Sequence, residues 1–409
     1  MTLLACHDCD LTLQVDPVPE GGSARCSRCG ALLFRLKRNS MDTVLALTVT
    51  GLILFIIANA FPFLSFKVQV STHETVLISG VRELYHQGMW IIATVVLLTT
   101  IIFPAVQMLG SLYVLGSLRL NLRPWKLKEI FRLIQALQAW AMMDVFMLGI
   151  LVSIVKLGRM GTIVPGIAAF AFMALIFVLS ASMAALDPHA VWEQIKIPEK
   201  FHAGLDNRTG LISCNVCHLL CDSSILATHG SHCPRCGGRL TRRKTNSLAR
   251  TWALILAAVI LYVPANVLPI TIVTSLGKEQ ADTILSGVIY FFSSGMWPVG
   301  LVIFVASVFV PLLKLLSLAY LAVSVQQKST WRPVDRTNLY RITEIVGRWS
   351  MVDVYVVTIL VAIVNLGPLA DVKVGPAAVY FCSVVIITMF AAMSFDPRLI
   401  WDNCEVSHE

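Results

Sequence analysis

The sequence predicts an all-α polytopic membrane protein: two tandem four-helix transmembrane modules, eight spans in all, each module preceded by a small four-cysteine ribbon. Three observations carry this. Of 409 residues, 56% are hydrophobic and only 14% charged, whereas a soluble domain carries about 25% charged residues. The second half of the chain repeats the first. Eight of the 11 cysteines fall in C-x-x-C pairs, a spacing that suits metal rather than a disulfide framework. So low a charge density cannot cover a water-facing surface of this size. It excludes a soluble enzyme, a disordered chain and a nucleic-acid-binding domain. The net charge of +8 then reports membrane orientation before it reports an acidic partner.

The repeat runs the length of the chain. Cys6, Cys9, Cys26 and Cys29 open the first half, and Cys214, Cys217, Cys233 and Cys236 open the second. Asn39-Ser40 matches Asn246-Ser247, and Asn59-Ala60-Phe61-Pro62 matches Asn266-Val267-Leu268-Pro269. Ser79-Gly80-Val81 matches Ser286-Gly287-Val288, and Pro104 matches Pro311. Trp140 to Val145 matches Trp349 to Val354, and Asp187-Pro188 matches Asp396-Pro397. The offset stays between 207 and 209. Domains are expected at 1–38 (ribbon 1), 39–195 (module 1), 196–245 (linker and ribbon 2) and 246–409 (module 2 with a short tail).

A span needs about 20 apolar residues. Such runs lie near 41–64, 89–117, 138–157 and 165–186, and again near 248–272, 296–325, 348–366 and 374–395. The segments 75–88 and 282–295 are short and mixed in polarity, and read as interfacial or re-entrant elements. Asn59 and Asn266 are expected to bond backbone groups freed by Pro62 and Pro269. Asp187 and Asp396, each before a proline at a span end, read as interface or capping residues.

Basic residues set the orientation. Both cysteine segments, the loops 118–137 and 326–347 and the tail hold most of them, among them Arg119, Lys126, Lys128, Arg242, Arg243 and Arg341. The alternate loops hold only Lys67, Arg82, Lys156, Arg159, Lys278 and Lys373. Both termini are therefore expected on the cytoplasmic side. The modules are parallel repeats, unlike the inverted repeats of many transporters. No basic region precedes an apolar stretch at the N-terminus, so no cleavable signal peptide is expected.

The ribbons read C-x2-C-x16-C-x2-C and C-x2-C-x15-C-x2-C. Two close thiolate pairs suit tetrahedral Zn2+, two structural sites with no open position for catalysis. Sulfur ligands alone also admit iron. Gly30 and Gly237 follow the second cysteine of a knuckle, where a tight turn needs them. His7, His218 and Cys221 lie nearby, either as surface residues or as substitute ligands.

Charges inside a span are costly and point to function. Lys314 lies deep in the sixth span and Asp353 near the start of the seventh, at similar depth, so an ion pair is geometrically reasonable. Ser350 lies one turn away. Pro311 lacks an N–H and should kink its helix there. In module 1, Gln107 stands at the position of Lys314, while Asp144 matches Asp353. Lys314, Asp353, Ser350, Pro311, Asp144 and Gln107 are the candidate lipid or proton site, and a structural ion pair fixing helix register is the alternative. No nucleotide-binding or hydrolase motif is present, so no enzyme activity is expected.

The four-Cys ribbon plus four spans, taken twice, resembles the paraquat-inducible protein A family. The segments that carry the resemblance are Leu261 to Ile270, Asp282 to Val288, Val346 to Val354 and Phe395 to Leu399. The last is closer to the PqiA branch than to the LetA (YebS) branch. The resemblance implies tetraspanin-like bundles in a Gram-negative inner membrane. It implies a periplasmic MCE-domain partner of PqiB or LetB type that forms a tunnel, and phospholipid traffic between inner and outer membranes. Two other readings stay open on the residues: an ion-coupled small-molecule transporter, and a metal- or redox-sensing envelope-stress scaffold.

Overall fold

Long uncapped apolar runs leave the backbone one way to satisfy its own polar groups away from water, and these segments are helical. The structure, a computed structural model, describes residues 2–16, 18–19, 21–35, 37, 40–68, 71–122, 125–157, 162–195, 211–222, 231–275, 278–295, 297–363 and 370–404. Module 1 holds α1 (Ser40–Ala60), α2 (Ser79–His86), α3 (Trp90–Leu97), α4 (Phe103–Arg119), α5 (Leu127–Leu137), α6 (Met143–Leu157), α7 (Ile167–Ala185) and α8 (Pro188–Gln194). Module 2 holds α9 (Ser247–Val267), α10 (Ile284–Ser293), α11 (Trp297–Phe304), α12 (Val310–Gln326), α13 (Pro333–Val346), α14 (Val352–Ile363) and α15 (Ala377–Ser394).

Among the described residues, seven helices are long and apolar enough to cross a membrane, which makes this a multi-pass membrane protein. The expected span near 138–157 is the exception. Its helix, α6, has 15 residues, which reach about 22 Å at 1.5 Å per residue. A turn at 138–140 separates it from α5. In module 2 the equivalent stretch runs on from Pro333 to Ala362, through a 3-10 turn at Gly347–Met351.

The all-α expectation needs correction. Residues 64–68, 71–75 and 162–165 form one three-stranded antiparallel sheet, and 271–275, 278–282 and 370–374 form its repeat. Apolar/polar alternation over Leu64 to Val68 was the available signal. The mixed segments 75–88 and 282–295 become α2 and α10, and Thr283 caps α10 with a reciprocal Ser286 bond.

Small residues set the packing. α1 lies against α7, with Gly51, Ala58, Ala168 and Ala171 buried, and α9 against α15, with Ala258, Ala265, Ala378 and Ala391 buried. Small side chains let helix backbones approach closely, which supplies van der Waals attraction where lipid removes the hydrophobic drive. The Asn-Ser motif closes each pair. Ser40 Oγ donates to the Ala185 carbonyl at 2.6 Å, and Ser247 Oγ to that of Ser394 at 2.8 Å. Asp187 caps α8, accepting from the His189 N–H at 3.0 Å. Asp396 accepts from the Arg398 and Lys244 N–H groups and from the Arg398 guanidinium at 2.9 Å. Burial alone would raise the Asp396 carboxyl, but bonding and charge from Arg398 hold it below its ordinary value. Asn59 and Asn266 donate at 2.8 Å to Phe55 and Tyr262, one helical turn back. They bond carbonyls four residues before themselves, not groups vacated by Pro62 or Pro269.

Both second spans carry a π-helical turn just before their proline, Leu98–Ile102 before Pro104 and Val305–Phe309 before Pro311. The proline ring has no N–H and crowds the carbonyl four residues back, so the helix widens there. The repeat-related helices α6 and α14 pack against each other across the seam between modules. Phe146 and Tyr355, repeat partners, meet edge to face at 5.3 Å. Tyr355 Oη donates to Thr99 Oγ1 in the π-turn of module 1 at 2.9 Å. The seam is uneven. A Cβ on Gly80 of α2 would lie 2.9 Å from Thr358 of α14, whereas its repeat Gly287 on α10 faces open space.

Candidate functional site

The two cysteine clusters form from four copies of one turn. After each C-x-x-C pair the chain enters the left-handed region, at Asp10 (φ 60°), Gly30 (69°), His218 (56°) and Gly237 (68°). The N–H of each donates back to the first cysteine's carbonyl at 2.8–3.0 Å. Only two of these positions are glycine. The other two, Asp10 and His218, are of residue types enriched several-fold in that region.

The sulfurs converge. Cys6 and Cys29 lie 3.4 Å apart, and Cys9 and Cys26 3.5 Å. In ribbon 2, Cys214–Cys236 and Cys217–Cys233 are both 3.5 Å. All four ligand atoms of each cluster lie within 4.8 Å of one another, and all eight residues are buried. Zn–S bonds of about 2.3 Å in a tetrahedron put sulfurs about 3.8 Å apart, so the donor set and its spacing can hold metal. The Gly238 N–H points at Cys236 Sγ at 3.3 Å. Contact with the Cys9 thiol is the first cause lowering Cys6 to about 5, and Cys217 does the same to Cys214, to about 7. Cys233 is lowered as well, first by its contact with Cys214, so each cluster holds at least one readily ionised thiol, the species a metal takes. Cys221 is buried beside ribbon 2 but turns toward the Leu219 carbonyl at 3.9 Å, outside the ligand set. His7 and His218 stand 6.0 Å apart at the contact of the two ribbons.

Each ribbon docks on the module that it does not precede. Ribbon 1 shares a core with Leu321, Val325, Tyr340, Phe395 and Trp401 of module 2. Ribbon 2 shares one with Val114, Phe131, Ile134, Val191 and Trp192 of module 1. Ribbon 1 is also latched by charge. Arg341 on α13 donates to Asp8 at 2.6 and 2.8 Å, to the Cys29 carbonyl at 3.3 Å and toward Cys29 Sγ at 3.6 Å. Arg243 bonds Asp10 and Asp402, and Arg28 stacks over Trp401 at 4.6 Å. A guanidinium beside four thiolates offsets the charge that they would carry around a divalent ion. The repeat of Arg341 is Arg132, but the repeat of Asp8 is Val216, so module 1 lacks this latch. Arg341→Ala is expected to cost the ribbon 1 contact about 2 kcal/mol, the scale of a charge-assisted hydrogen bond. Hydrogen exchange should quicken in the strands at 2–5 and 12–15 while Arg132→Ala leaves ribbon 2 unchanged.

The second candidate site lies inside module 2. Lys314 is 3% exposed, Ser350 1% and Asp353 7%. The Lys314 ammonium packs on the backbone of Gly347, where a Cβ would come within 2.7 Å of Nζ. Ser350 Oγ donates to the Gly347 carbonyl at 2.8 Å. Gly347 thus links lysine and serine at the point where α13 gives way to the 3-10 turn. Among the described residues, Lys314 has no carboxylate within salt-bridge distance, so the expected Lys314–Asp353 ion pair is not formed. Pro311 is buried one turn before Lys314. In module 1, Asp144 is exposed and Gln107 half-buried, and no hydrogen bond joins them among the described residues. The repeat has kept the aspartate and changed its surroundings.

Against known proteins, the sequence model described as "Paraquat-inducible protein A" matches residues 41–196 and 248–405. The chain is 34% identical to "Intermembrane transport protein PqiA" of Escherichia coli strain K12, over 99% of this chain and 97% of that one. It is 30% identical to "Lipophilic envelope-spanning tunnel protein A" of the same strain, over 98% and 91%. It is 28% identical to a "Probable intermembrane transport protein" of Haemophilus influenzae, over 98% and 95%. No solved structure matches the chain.

Proposed function

The chain belongs to the paraquat-inducible protein A family, and from that premise we propose that it moves phospholipid between inner and outer membranes as the inner-membrane subunit of an MCE-type system. It is a transport component rather than an enzyme. Lipid passes between the bundle and the periplasm-spanning tunnel of an MCE-domain partner. The sheet end of the molecule faces that partner, and the ribbon end, with both termini, faces the cytoplasm. The two cysteine clusters hold structural Zn2+. Ribbons 1–38 and 196–245 brace the modules 39–195 and 246–409 from below.

The observation that supports this reading is the burial of three polar residues, Lys314, Ser350 and Asp353, inside an otherwise apolar bundle. A lysine that deep costs on the order of several kcal/mol and persists where it contacts substrate or moves a charge. Lys314 and Asp353 take a headgroup or relay a proton, Ser350 orients the Gly347 backbone beside them, and the wide turn before Pro311 gives the helix a place to bend. Module 1, with Gln107 and an exposed Asp144, supports the seam instead.

Lys314→Ala and Asp353→Ala are each expected to lower lipid transport about tenfold or more, as removal of a functional intramembrane charge does. The measurement is lipid exchange between membranes, or envelope integrity, in cells carrying each variant at equal protein level. Full activity in both removes the site assignment and leaves the family role standing. Co-purification from membranes tests the partner: recovery with an MCE-domain protein and bound phospholipid is expected, and an isolated, lipid-free chain speaks against it.

A further inference from the structure

A groove of about 1180 Å³ lies at the ribbon end of module 1, where α1 begins, α4 ends and α8 passes beside them. Its walls carry four cations, Lys37, Arg119, Lys126 and Lys128, against two carboxylates, Asp42 and Glu129. Arg119 Nε already lies 3.3 Å from Asp42. Among the described residues, neither Lys126 nor Lys128 forms an ion pair. The floor between them is apolar, built from Met41, Leu118, Leu122, Leu127 and Ile195. Trp125 stands at the rim, 80% exposed, with Lys126 Nζ 4.1 Å over its ring. An exposed tryptophan and long cations beside apolar surface at the end of a span suit the boundary between headgroups and acyl chains.

Module 2 shows that the fold does not require three of these four charges. The repeat places Lys244, Gln326, Asp335 and Thr337 at the positions of Lys37, Arg119, Lys126 and Lys128. Lys244 donates to the carbonyls of Met393 and Phe395 at 2.7 and 2.9 Å. Thr337 accepts from Trp401 Nε1 at 3.0 Å. There Lys244 and Thr337 close the end of the bundle and Gln326 and Asp335 are exposed, whereas in module 1 all four cations line open space. Pockets for small ligands run to about 300–1,000 Å³, so this groove has room for a phosphate headgroup, its glycerol and the first carbons of the chains.

We propose that the groove holds the phosphate headgroup of an anionic phospholipid from the leaflet on the ribbon side. Lys37, Lys126 and Lys128 surround the phosphate, Arg119 stays tied to Asp42 at the wall, and the apolar floor takes the upper acyl carbons. The site is separate from the Lys314 cluster and rests on the reading above only in placing the helices in a bilayer. It makes module 1 a holding site for anionic lipid and leaves the buried charge to module 2.

The test uses the full metal-loaded chain in detergent, with lipid adducts counted by native mass spectrometry. Phosphatidylglycerol is expected to bind about tenfold tighter than phosphatidylethanolamine, a ratio within reach of a few basic residues at a lipid surface. Arg119→Gln with Lys126→Gln and Lys128→Gln should abolish that preference. Lys328→Gln with Arg332→Gln, on the ribbon end of module 2, should keep it. Metal content and adducts of the zwitterionic lipid show whether each variant is folded. If the triple variant is not, Lys126→Gln with Lys128→Gln, both exposed, takes its place. An unchanged preference in the groove variants, or equal loss in the module 2 control, overturns the proposal. Displacement of the lipid by millimolar inorganic phosphate overturns it too, because the site would then serve a soluble anion.

Discussion

Cys26→Ser is expected to lower bound metal from the proposed two ions per chain to one and to loosen module 2, the module at the far end of the sequence. Ribbon 1 consists of strands of three and four residues, far too little structure to fold without an ion in its cysteine cluster. Metal binding in such units is worth ~10 kcal/mol of folding free energy. Once the ribbon opens, Leu321, Val325, Tyr340 and Trp401 lose the cover that it supplies. Arg341 and Arg243 lose Asp8 and Asp10 in the same event. Cys233→Ser should instead uncover Phe131, Ile134 and Trp192 in module 1. Metal analysis gives the stoichiometry, and hydrogen exchange over α13 and α5 gives the location. Should Cys26→Ser loosen α5 and spare α13, the crossed docking of the ribbons is wrong.

Gly375→Ala should be among the most damaging single methyl additions in the chain, with Gly166→Ala close behind. The two are repeat partners at the entry to α7 and α15. A Cβ on Gly375 would lie 2.1 Å from the Pro269 carbonyl oxygen, and one on Gly166 2.2 Å from that of Pro62. Those contacts are with backbone, which cannot rotate away as a side chain does. The same glycines donate their N–H to Ile270 and Phe63 at 2.9 and 3.0 Å, so retreat would break the join between sheet and helix. A loss of about 3 kcal/mol is expected, at the upper end for overpacking, read as a drop in melting temperature and in folded yield. Gly287→Ala, where nothing lies within 4 Å, should be close to neutral. Equal stability of Gly375→Ala and Gly287→Ala would refute the account.

These glycines also show why some of the site was hidden in the sequence. The Pro62 and Pro269 motifs are visible as repeats, but the residues that they press against lie about a hundred positions away. The cysteine clusters were readable because their ligands come in local pairs whose spacing is itself the geometry. The candidate polar residues were readable because a charge in an apolar run stands out. Their contacts were not. Lys314 meets the Gly347 backbone instead of Asp353, and Gly347 carries no side chain to announce it. The strands at 64–75 and 271–282 are hard to read in the sequence because, of the four, only Leu64 to Val68 alternates, a weak signal beside spans four times as long.

By itself the sequence determined the duplication, the apolar spans, the two cysteine clusters and the family, since each is written in composition, spacing or register. Only the tertiary structure decided how two similar halves come to differ. Asp144 and Asp353 occupy one repeat position, yet one is exposed and the other buried. Arg132 and Arg341 occupy another, yet only Arg341 finds an aspartate. The reason is physical: a repeat constrains each half against itself, whereas the seam and the crossed ribbons set each residue against the other half, where the partners are not the same.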